Sequence, residues 1–426
     1  MKTAHLCAVR SKYDDTIQHN DTIGKMNDNK TKKNNIYLDY MASTPIDSRV
    51  LEAMQPFLQE RFANSLSIHS DGQSADFFLE QSQKRVAETI GAKKSEIHWT
   101  SGGTESNTWA LKGVVEYIEE HNNGIKGLHV VLGGIEHSSV SGFLHYAKKK
   151  ELDVSLVGVD KDGILDIEEF KLALRPETIL VSVLYANNEI GTIQPIKKIG
   201  EIIKKHRSEG GDNFILPNLD FKFPAFHTDA SQAFMYLDCD VDTLGVDLMT
   251  LDGHKMYGPK GIGALYIRDG LLLTPMFFSM NSVENKRYGT PATQLVAGFT
   301  KASEIAVDER QEFGIRLREL RDYTIESLKK MFPEIIINGS IKERLPNNIS
   351  FSFPGQNHEF LTVLLDEQGI SVATKSACRS VENSSHVIKA LGNDGDSAIR
   401  ISLGKETTKL EIDYFLETLG RILKKS

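Results

Sequence analysis

The chain has 426 residues, of which 40% are hydrophobic and 25% are charged, so it can bury a large core and is not a disordered protein. Its formal net charge of −8 argues against a nucleic-acid partner, and no apolar run is long enough to cross a membrane. The three cysteines, Cys7, Cys239 and Cys378, are far apart and fit neither a disulfide framework nor a zinc site, which favours a reducing, cytoplasmic compartment.

Residues 1–35 differ in composition from the rest of the chain. The stretch KMNDNKTKKNN (residues 25–35) is polar and lacks apolar periodicity, which predicts a flexible tail. It has no apolar core such as a secretory signal needs, and the acidic residues before it argue against a mitochondrial presequence.

From Ile36 onward the pattern is typical of an α/β protein. Near-continuous apolar runs suit strands buried on both faces of a sheet, and their polar ends suit a ligand crevice. These runs are residues 127–134, 178–191, 225–232, 247–255 and 263–267. Helical patterns lie between them, as at residues 83–92 and 107–121, and a loop insertion is predicted at 208–226.

The pattern changes after residue 306. A long charged helix is predicted over residues 308–331, followed by strand-like stretches and a C-terminal amphipathic helix. We therefore expect a large domain over residues 52–305 and a smaller α+β domain over residues 306–426.

The motif SGGTESN (residues 101–107) opens a predicted helix with two glycines and Thr104. Free N–H groups and the helix dipole at such an end favour a phosphate. An ordinary glycine turn, capped by Thr104 or Ser101, explains this motif alone equally well.

Two further motifs place polar side chains after strands. GIEHSSV (residues 134–140) offers His137, which can stack on an aromatic cofactor or move protons, or can be a structural histidine. YANNEIGT (residues 185–192) offers Asn187, whose amide can bond a phenolic oxygen or simply stabilise a turn.

Asp229 and Lys255 also follow strands. In HTDASQ (residues 227–232), Asp229 can pair with a protonated pyridine nitrogen, or it can be a helix cap. In TLDGHKMYGPKGIG (residues 250–263), Lys255 can form a Schiff base with an aldehyde. For that motif alone, a surface turn with solvated lysines is the favoured interpretation.

The C-terminal part holds two more candidates. In KSACRS (residues 375–380), Cys378 lies beside cationic residues that would stabilise a nucleophilic thiolate, although an inert buried cysteine is the alternative. In AIRISLG (residues 398–404), Arg400 can present its planar fork to a carboxylate or form a structural ion pair.

In this order and at these spacings, the motifs resemble those of the pyridoxal-phosphate-dependent cysteine desulfurases of the class V aminotransferase group. YLDYMASTP (residues 37–45), SIHSDG (residues 67–72) and RYGTP (residues 287–291) match as well, and the resemblance runs from Ile36 to the C-terminus. It implies a homodimer of fold type I, with a mostly parallel seven-stranded sheet in the large domain. Residues 36–51 would pack with the smaller C-terminal domain.

The resemblance also implies a role for each matching residue. Lys255 would hold pyridoxal 5'-phosphate as a Schiff base, Asp229 would pair with its ring nitrogen, and His137 would stack on the ring. Gln232 and Asn187 would bond the phenolic oxygen of the cofactor. Its phosphate would be bound by Gly103, Thr104 and His254, together with Thr290 of the partner subunit. Arg400 and Asn187 would bind the substrate, and Cys378 would be the nucleophile.

The implied activity converts L-cysteine to L-alanine and passes the sulfur, as a persulfide on Cys378, to a sulfur-acceptor or scaffold protein. The acceptor pathway would be iron–sulfur cluster assembly or the thiolation of tRNA or cofactors, and the form of the SACRS loop resembles the longer-loop subgroup. Selenocysteine lyase, or another class V aminotransferase-type enzyme, is the alternative. Cys378 argues against a transaminase, which needs no such thiol.

Asp252 departs from the family pattern, which commonly has a hydroxyl residue there that bonds the phosphate. A carboxylate near a phosphate dianion is repulsive in a dry site. We therefore expect Asp252 to point away from the phosphate, capping a turn or pairing with a nearby lysine.

Overall fold

The computed structural model describes residues 35–122, 124–209, 214–216, 219–279, 283–374, 385–393 and 398–424. The predicted tail lies outside the described residues apart from Asn35, and so does Cys378 with its neighbours Lys375 and Arg379. Within the described ranges, no helix combines the length and the apolar character that a membrane crossing requires.

A seven-stranded sheet forms the centre of the fold. Its strands are β2 (Ile97–Thr100), β3 (His129–Gly133), β4 (Asp153–Val157), β5 (Thr178–Ser182), β6 (Ala225–Asp229), β7 (Leu248–Asp252) and β8 (Gly263–Ile267). Their order across the sheet is β2-β8-β7-β6-β5-β3-β4. Strands β3 to β7 run parallel to one another, and β8 pairs antiparallel with β2 and β7. The predicted mostly parallel seven-stranded sheet is therefore confirmed.

Helices cover both faces of this sheet. Val130 and Leu132 belong to one hydrophobic cluster with Trp109, whereas Val131 belongs to another with Ile199. Because successive strand side chains point to opposite faces, both faces are buried, which explains the near-continuous apolar runs. The helices are α1 (Ser48–Met54), α2 (Pro56–Gln59), α3 (Ser70–Glu88), α4 (Gly103–His121), α5 (Ser138–Ser141), α6 (Phe143–Lys149), α7 (Ile167–Ala173), α8 (Ile196–Glu209), α9 (Val241–Leu244), α10 (Thr293–Met331), α11 (His358–Glu367), α12 (His386–Ala390) and α13 (Lys409–Leu423).

Two small sheets lie outside the central one. Strands β9 (Ile336–Ile337), β10 (Asn348–Ser352) and β12 (Ala398–Ser402) form an antiparallel sheet in the order β12-β10-β9. Strand β1 (Ile36–Tyr37) pairs in parallel with β11 (Ile370–Ser371). Helix α10 runs without a break through the expected domain boundary at residues 305 and 306, so the division into two domains stays a prediction.

The predicted insertion lies between α8 and β6. Its described residues, 214–216 and 219–224, form neither helix nor strand. Helix α8 continues to Glu209 and β6 begins at Ala225, so the insertion is slightly shorter than the predicted range.

Candidate active site

The carboxyl ends of β6 and β7 open onto a cavity of about 160 Å³. This is where ligands bind in open parallel sheets, because loops and helix N-termini converge at that edge. Eight of the predicted site residues line the cavity: Gly103, Thr104, His137, Asp229, Gln232, His254, Lys255 and Arg400.

Lys255 lies in a single 3₁₀ turn (Gly253–Lys255) that directly follows β7. Its Nζ donates to the carbonyl oxygens of Met41, at 2.7 Å, and Ala42, at 2.8 Å. These neutral acceptors come from the N-terminal segment and hold the amine at the cavity wall. The interpretation of this motif as a solvated surface turn is therefore wrong for Lys255, although Lys260 in the same loop is exposed.

Asp229 ends β6 and points its carboxylate into the cavity wall. Its Oδ2 accepts from Nδ2 of Asn107 at 2.7 Å, and its Oδ1 accepts from the backbone N–H of Ser231 at 2.9 Å. Two donors therefore orient the carboxylate, and charge-assisted bonds of this kind are stronger than neutral ones.

Asn107 is a site residue whose role the SGGTESN motif does not indicate by itself. It is 1% exposed on α4, and its Nδ2 also donates to Oγ of Ser139 at 2.8 Å. A signal was available: Asn107 lies four residues after Gly103, and residues at that spacing share one face of a helix. Among the described residues, Oδ1 of Asn107 and Oγ of Ser231 are buried polar atoms with no hydrogen-bond partner.

Asp252 faces the first turn of α4. Its Oδ2 accepts from the backbone N–H of Gly103 at 2.9 Å and lies 3.4 Å from Nε2 of His254. Its Oδ1 accepts from the backbone N–H of His254 at 3.3 Å and so caps the 3₁₀ turn. Turn capping was predicted and is confirmed. That Asp252 points away from a bound phosphate stays a prediction, but its carboxylate contacts Gly103 and His254, which are two of the predicted phosphate ligands.

The physical reason is the unsatisfied N–H groups and the positive dipole end of α4, which attract any nearby anion. Burial alone would raise the pKa of Asp252. The hydrogen bond and charge of His254, the Gly103 N–H and the charge of Lys255 outweigh burial and lower that pKa below its ordinary value. The side chain is therefore an ionised carboxylate near neutral pH.

His137 and Gln232 line the same cavity. Nδ1 of His137 accepts from the backbone N–H of Ser139 at 3.2 Å and lies 2.7 Å from its Oγ, so His137 also caps the short helix α5. Nε2 of Gln232 donates to the carbonyl oxygen of Met41 at 3.0 Å, which is one of the two carbonyls that hold Lys255.

Arg400, on β12, is 4% exposed and reaches the cavity from the small antiparallel sheet. Its Nη2 pairs with Oδ1 of Asp39 at 2.5 Å, and its Nη1 donates to the carbonyl oxygen of Asn188 at 2.7 Å. Arg400 therefore forms the structural ion pair that was the alternative to carboxylate binding, and its partner Asp39 could not be predicted from the motif. Among the described residues, Nε of Arg400 is a buried donor without a partner.

Two predicted site residues that the structure describes, Asn187 and Thr290, do not line the cavity. Asn187 is fully buried beside it: its Oδ1 accepts from the N–H groups of Glu189 and Ile190, and its Nδ2 donates to the carbonyl oxygen of Ile135. This is the turn-stabilising arrangement, and a ligand-binding role for Asn187 stays a prediction. Thr290 is exposed and lines a separate cavity, and Cys378 lies outside the described residues.

Residues 36–415 match the aminotransferase class-V family. The chain belongs to this family. A cysteine desulfurase IscS of Dictyoglomus turgidum is 41% identical over 397 residues, which cover 92% of this chain and 95% of that protein. Membership in the cysteine desulfurase group, which the motifs predicted, is therefore confirmed.

Solved structures agree with this assignment. A NifS-like protein superposes with a TM-score of 0.81 at 33% identity, covering 92% of this chain and 100% of its own. A structure described as SspA in complex with cysteine has a TM-score of 0.71 at 31% identity and covers 86% of this chain and 98% of its own. Enzymes of this family generally depend on pyridoxal phosphate.

Proposed function

We propose that the protein is a pyridoxal-phosphate-dependent cysteine desulfurase that converts L-cysteine to L-alanine and leaves the sulfur as a persulfide on Cys378. One observation carries this proposal. Lys255, Asp229 and the N-terminus of α4, from three separate motifs, line a single cavity in a chain of the cysteine desulfurase group.

The polar groups of the cavity fit the cofactor. Lys255 supplies an amine for its aldehyde, and Asp229 supplies a carboxylate for its ring nitrogen. Oδ1 of Asn107 and Oγ of Ser231 lack partners among the described residues, and a polar ligand would satisfy such atoms. His137 and Gln232 line the same cavity, which supports their roles in ring stacking and at the ring oxygen.

When bound, the cofactor draws electrons from the α-carbon of the substrate. Lys255 would hold the cofactor through its aldehyde and, with its amine released, would move the α-proton of the substrate. Asp229 would hold a proton at the ring nitrogen, and the hydrogen bond from Asn107 keeps the carboxylate in place for this task.

Arg400 binds the carboxylate of L-cysteine in this proposal. Its buried Nε is a donor that no described residue uses, and Asp39 and the carbonyl of Asn188 hold the guanidinium in one orientation. A planar fork with a free N–H suits a carboxylate.

Cys378 takes the sulfur. Its thiolate attacks the substrate sulfur, a sulfur–sulfur bond forms, and the bond from that sulfur to the β-carbon breaks. The electron pair stays with the carbon, which is protonated to become the methyl group of alanine. Thiol exchange then passes the sulfur to an acceptor or scaffold protein, for iron–sulfur cluster assembly or thiolation. The motif KSACRS and the family support this step, and the dispersed cysteines support a cytoplasmic location.

A homodimer is part of the proposal. Thr290 lines a cavity together with Leu66 and Phe278, whose side chains are 80% and 102% exposed. Large exposed apolar side chains mark interaction surfaces. In the proposed homodimer a second copy covers this surface, and Thr290 contributes to the phosphate end of the partner's site, as the resemblance implies.

Replacing Cys378 tests the function. Cys378→Ser should keep the visible absorbance of the bound cofactor and lose sulfide release from L-cysteine. Cys239→Ser is the matched control, because Cys239 is fully buried and burial raises the pKa of its thiol to about 12, which makes it inert. Full desulfurase activity of Cys378→Ser without added thiol would overturn the proposal.

Comparing alanine release from L-cysteine and L-selenocysteine distinguishes the proposed cysteine desulfurase from a selenocysteine lyase.

A further inference from the structure

We propose that Asp252 lowers the affinity of the protein for its cofactor, because its carboxylate competes with the cofactor's phosphate for the N-terminus of α4. The inference rests on the proposed function. It concerns a residue that departs from the family pattern.

The carboxylate already uses the donors that a phosphate would need. Oδ2 of Asp252 accepts from the N–H of Gly103, the first residue of α4, at 2.9 Å and lies 3.4 Å from Nε2 of His254. Gly103 and His254 are two of the residues that the motifs assign to the phosphate. A phosphate therefore has to displace Asp252 or bind without these two donors.

The space beside Gly103 is also filled. A Cβ placed on Gly103 would lie 3.0 Å from Oδ2 of Asp252 and 3.2 Å from Oγ of Ser231. A serine or threonine at position 252 would be shorter and would offer a donor, whereas an ionised carboxylate can only accept.

Charge acts in the same direction. The side chain of Asp252 is 12% exposed, and its pKa is lowered, so it remains ionised near neutral pH. The phosphate of the cofactor carries a charge of about −1.5 to −2 at pH 7. Two anions at one partly buried helix end repel each other more strongly than they would in water.

Binding of two ligands separates the phosphate from the rest of the cofactor. Pyridoxal has the same ring and aldehyde as pyridoxal phosphate but no phosphate, so the ratio of their dissociation constants measures what the phosphate contributes. Both are titrated into cofactor-free protein, and the visible absorbance band that depends on Lys255 gives each Kd.

We expect tighter binding of pyridoxal phosphate but not of pyridoxal. Asp252→Ser should lower the Kd for pyridoxal phosphate by about tenfold or more, which corresponds to about 1.4 kcal/mol. Its Kd for pyridoxal should stay within about twofold of the unchanged protein. Asp252→Asn removes the charge but keeps the shape and the capping oxygen, and should give a smaller gain of the same kind. Asp166→Ser, which alters an exposed capping aspartate at α7, should change neither Kd.

Other outcomes overturn the inference. An unchanged or higher Kd for pyridoxal phosphate in both Asp252 variants, or an equal shift for both ligands, would mean that Asp252 is only a turn cap. If the unchanged protein binds pyridoxal phosphate through Lys255 and the variants do not tighten it, this inference fails and the proposed function stands. If the unchanged protein forms no Lys255-dependent band with either ligand, both fail.

Discussion

Two parts of the cavity wall differ in how their charges are arranged. The amine part consists of Lys255, Asp229 and Asn107, and the helix part consists of Gly103, Asp252 and His254. In the amine part, neutral backbone and amide groups orient the amine of Lys255 and the carboxylate of Asp229. In the helix part, the protein's own carboxylate already neutralises the helix end. Ligand affinity in the amine part therefore depends on how well the ligand matches the oriented groups. In the helix part it depends on whether an anionic ligand can displace the Asp252 carboxylate.

The largest effect is expected in the amine part, at Lys255. Lys255→Ala should abolish both the visible absorbance of the cofactor and alanine formation, because no other amine is held at that wall by the described residues. Borohydride reduction of the unchanged protein, followed by peptide mass spectrometry, should locate the mass of the cofactor on Lys255.

Lys260→Ala is the control for this substitution. Lys260 lies in the same loop but is exposed, and the variant should keep the absorbance and the activity. A reduced adduct on Lys260, or an absorbance band that survives in Lys255→Ala, would assign the cofactor to a different lysine.

The next effect concerns the strand that carries Asp229. His227, on β6, is fully buried between Oγ of Ser182 at 2.8 Å and Oγ1 of Thr250 at 3.1 Å. Burial lowers the pKa of His227 from 6.5 to about 4, against the opposing charge of Asp229. Between these two pH values the unfolded chain binds a proton that the folded chain does not, so stability falls as the pH is lowered through this window, by on the order of 3 kcal/mol.

Denaturant unfolding between pH 7 and pH 4 measures this loss. His227→Asn should make the dependence on pH shallower, whereas His145→Asn, which changes an exposed histidine on α6, should leave it unchanged. Glu136 acts in the opposite sense, because burial raises its pKa and its contribution is lost as the pH rises. An identical slope in His227→Asn and the unchanged protein would mean that folding does not change the pKa of His227.

A smaller effect is expected at Asn107, which acts through Asp229. Asn107→Ala removes the 2.7 Å hydrogen bond to the carboxylate and should slow alanine formation roughly tenfold, since a hydrogen bond to a charged group contributes about 1.5 kcal/mol or more. Thr108→Ala is the control, because Thr108 is the next residue on α4 and its hydroxyl bonds only within the helix. Equal rates in the two variants would remove Asn107 from the site.

The strands and most of the cavity lining could be predicted from the sequence, because a buried parallel strand produces a continuous apolar run with polar residues at its end. Helix α10 was predicted to begin at residue 308, where its charges begin, but it begins at Thr293. Its first part is apolar and packed in the core, through Val296, Phe299 and Ala302, so charge patterning misses it.

Contacts between distant segments could not be predicted. The pairing of Arg400 with Asp39 joins residues that are 361 positions apart, and the bond from Asn107 to Asp229 depends on how α4 lies across β6. For Asp252, the turn cap could be predicted, but the contact with the N-terminus of α4 could not. The helix end of the protein itself was the nearer partner, and its position relative to β7 is a property of the fold rather than of the motif.

The smallest effect tests the helix part in the absence of a ligand. If Asp252 substitutes there for an anion, it should stabilise the cofactor-free protein as a cap does. Asp252→Ala should lower the free energy of unfolding of that form by about 1 kcal/mol. With pyridoxal phosphate at saturation the difference should vanish or reverse, because the phosphate takes over the Gly103 N–H and no longer meets a like charge. Asp166→Ala removes the cap of α7. It should lower the free energy of unfolding by about the same amount with and without the cofactor. Denaturant unfolding of each variant in both states measures the four values. If Asp252→Ala loses equal stability with and without the cofactor, the phosphate does not replace the Asp252 carboxylate at the N-terminus of α4. The helix part would then show no competition between anions, and the contrast with the amine part would fail.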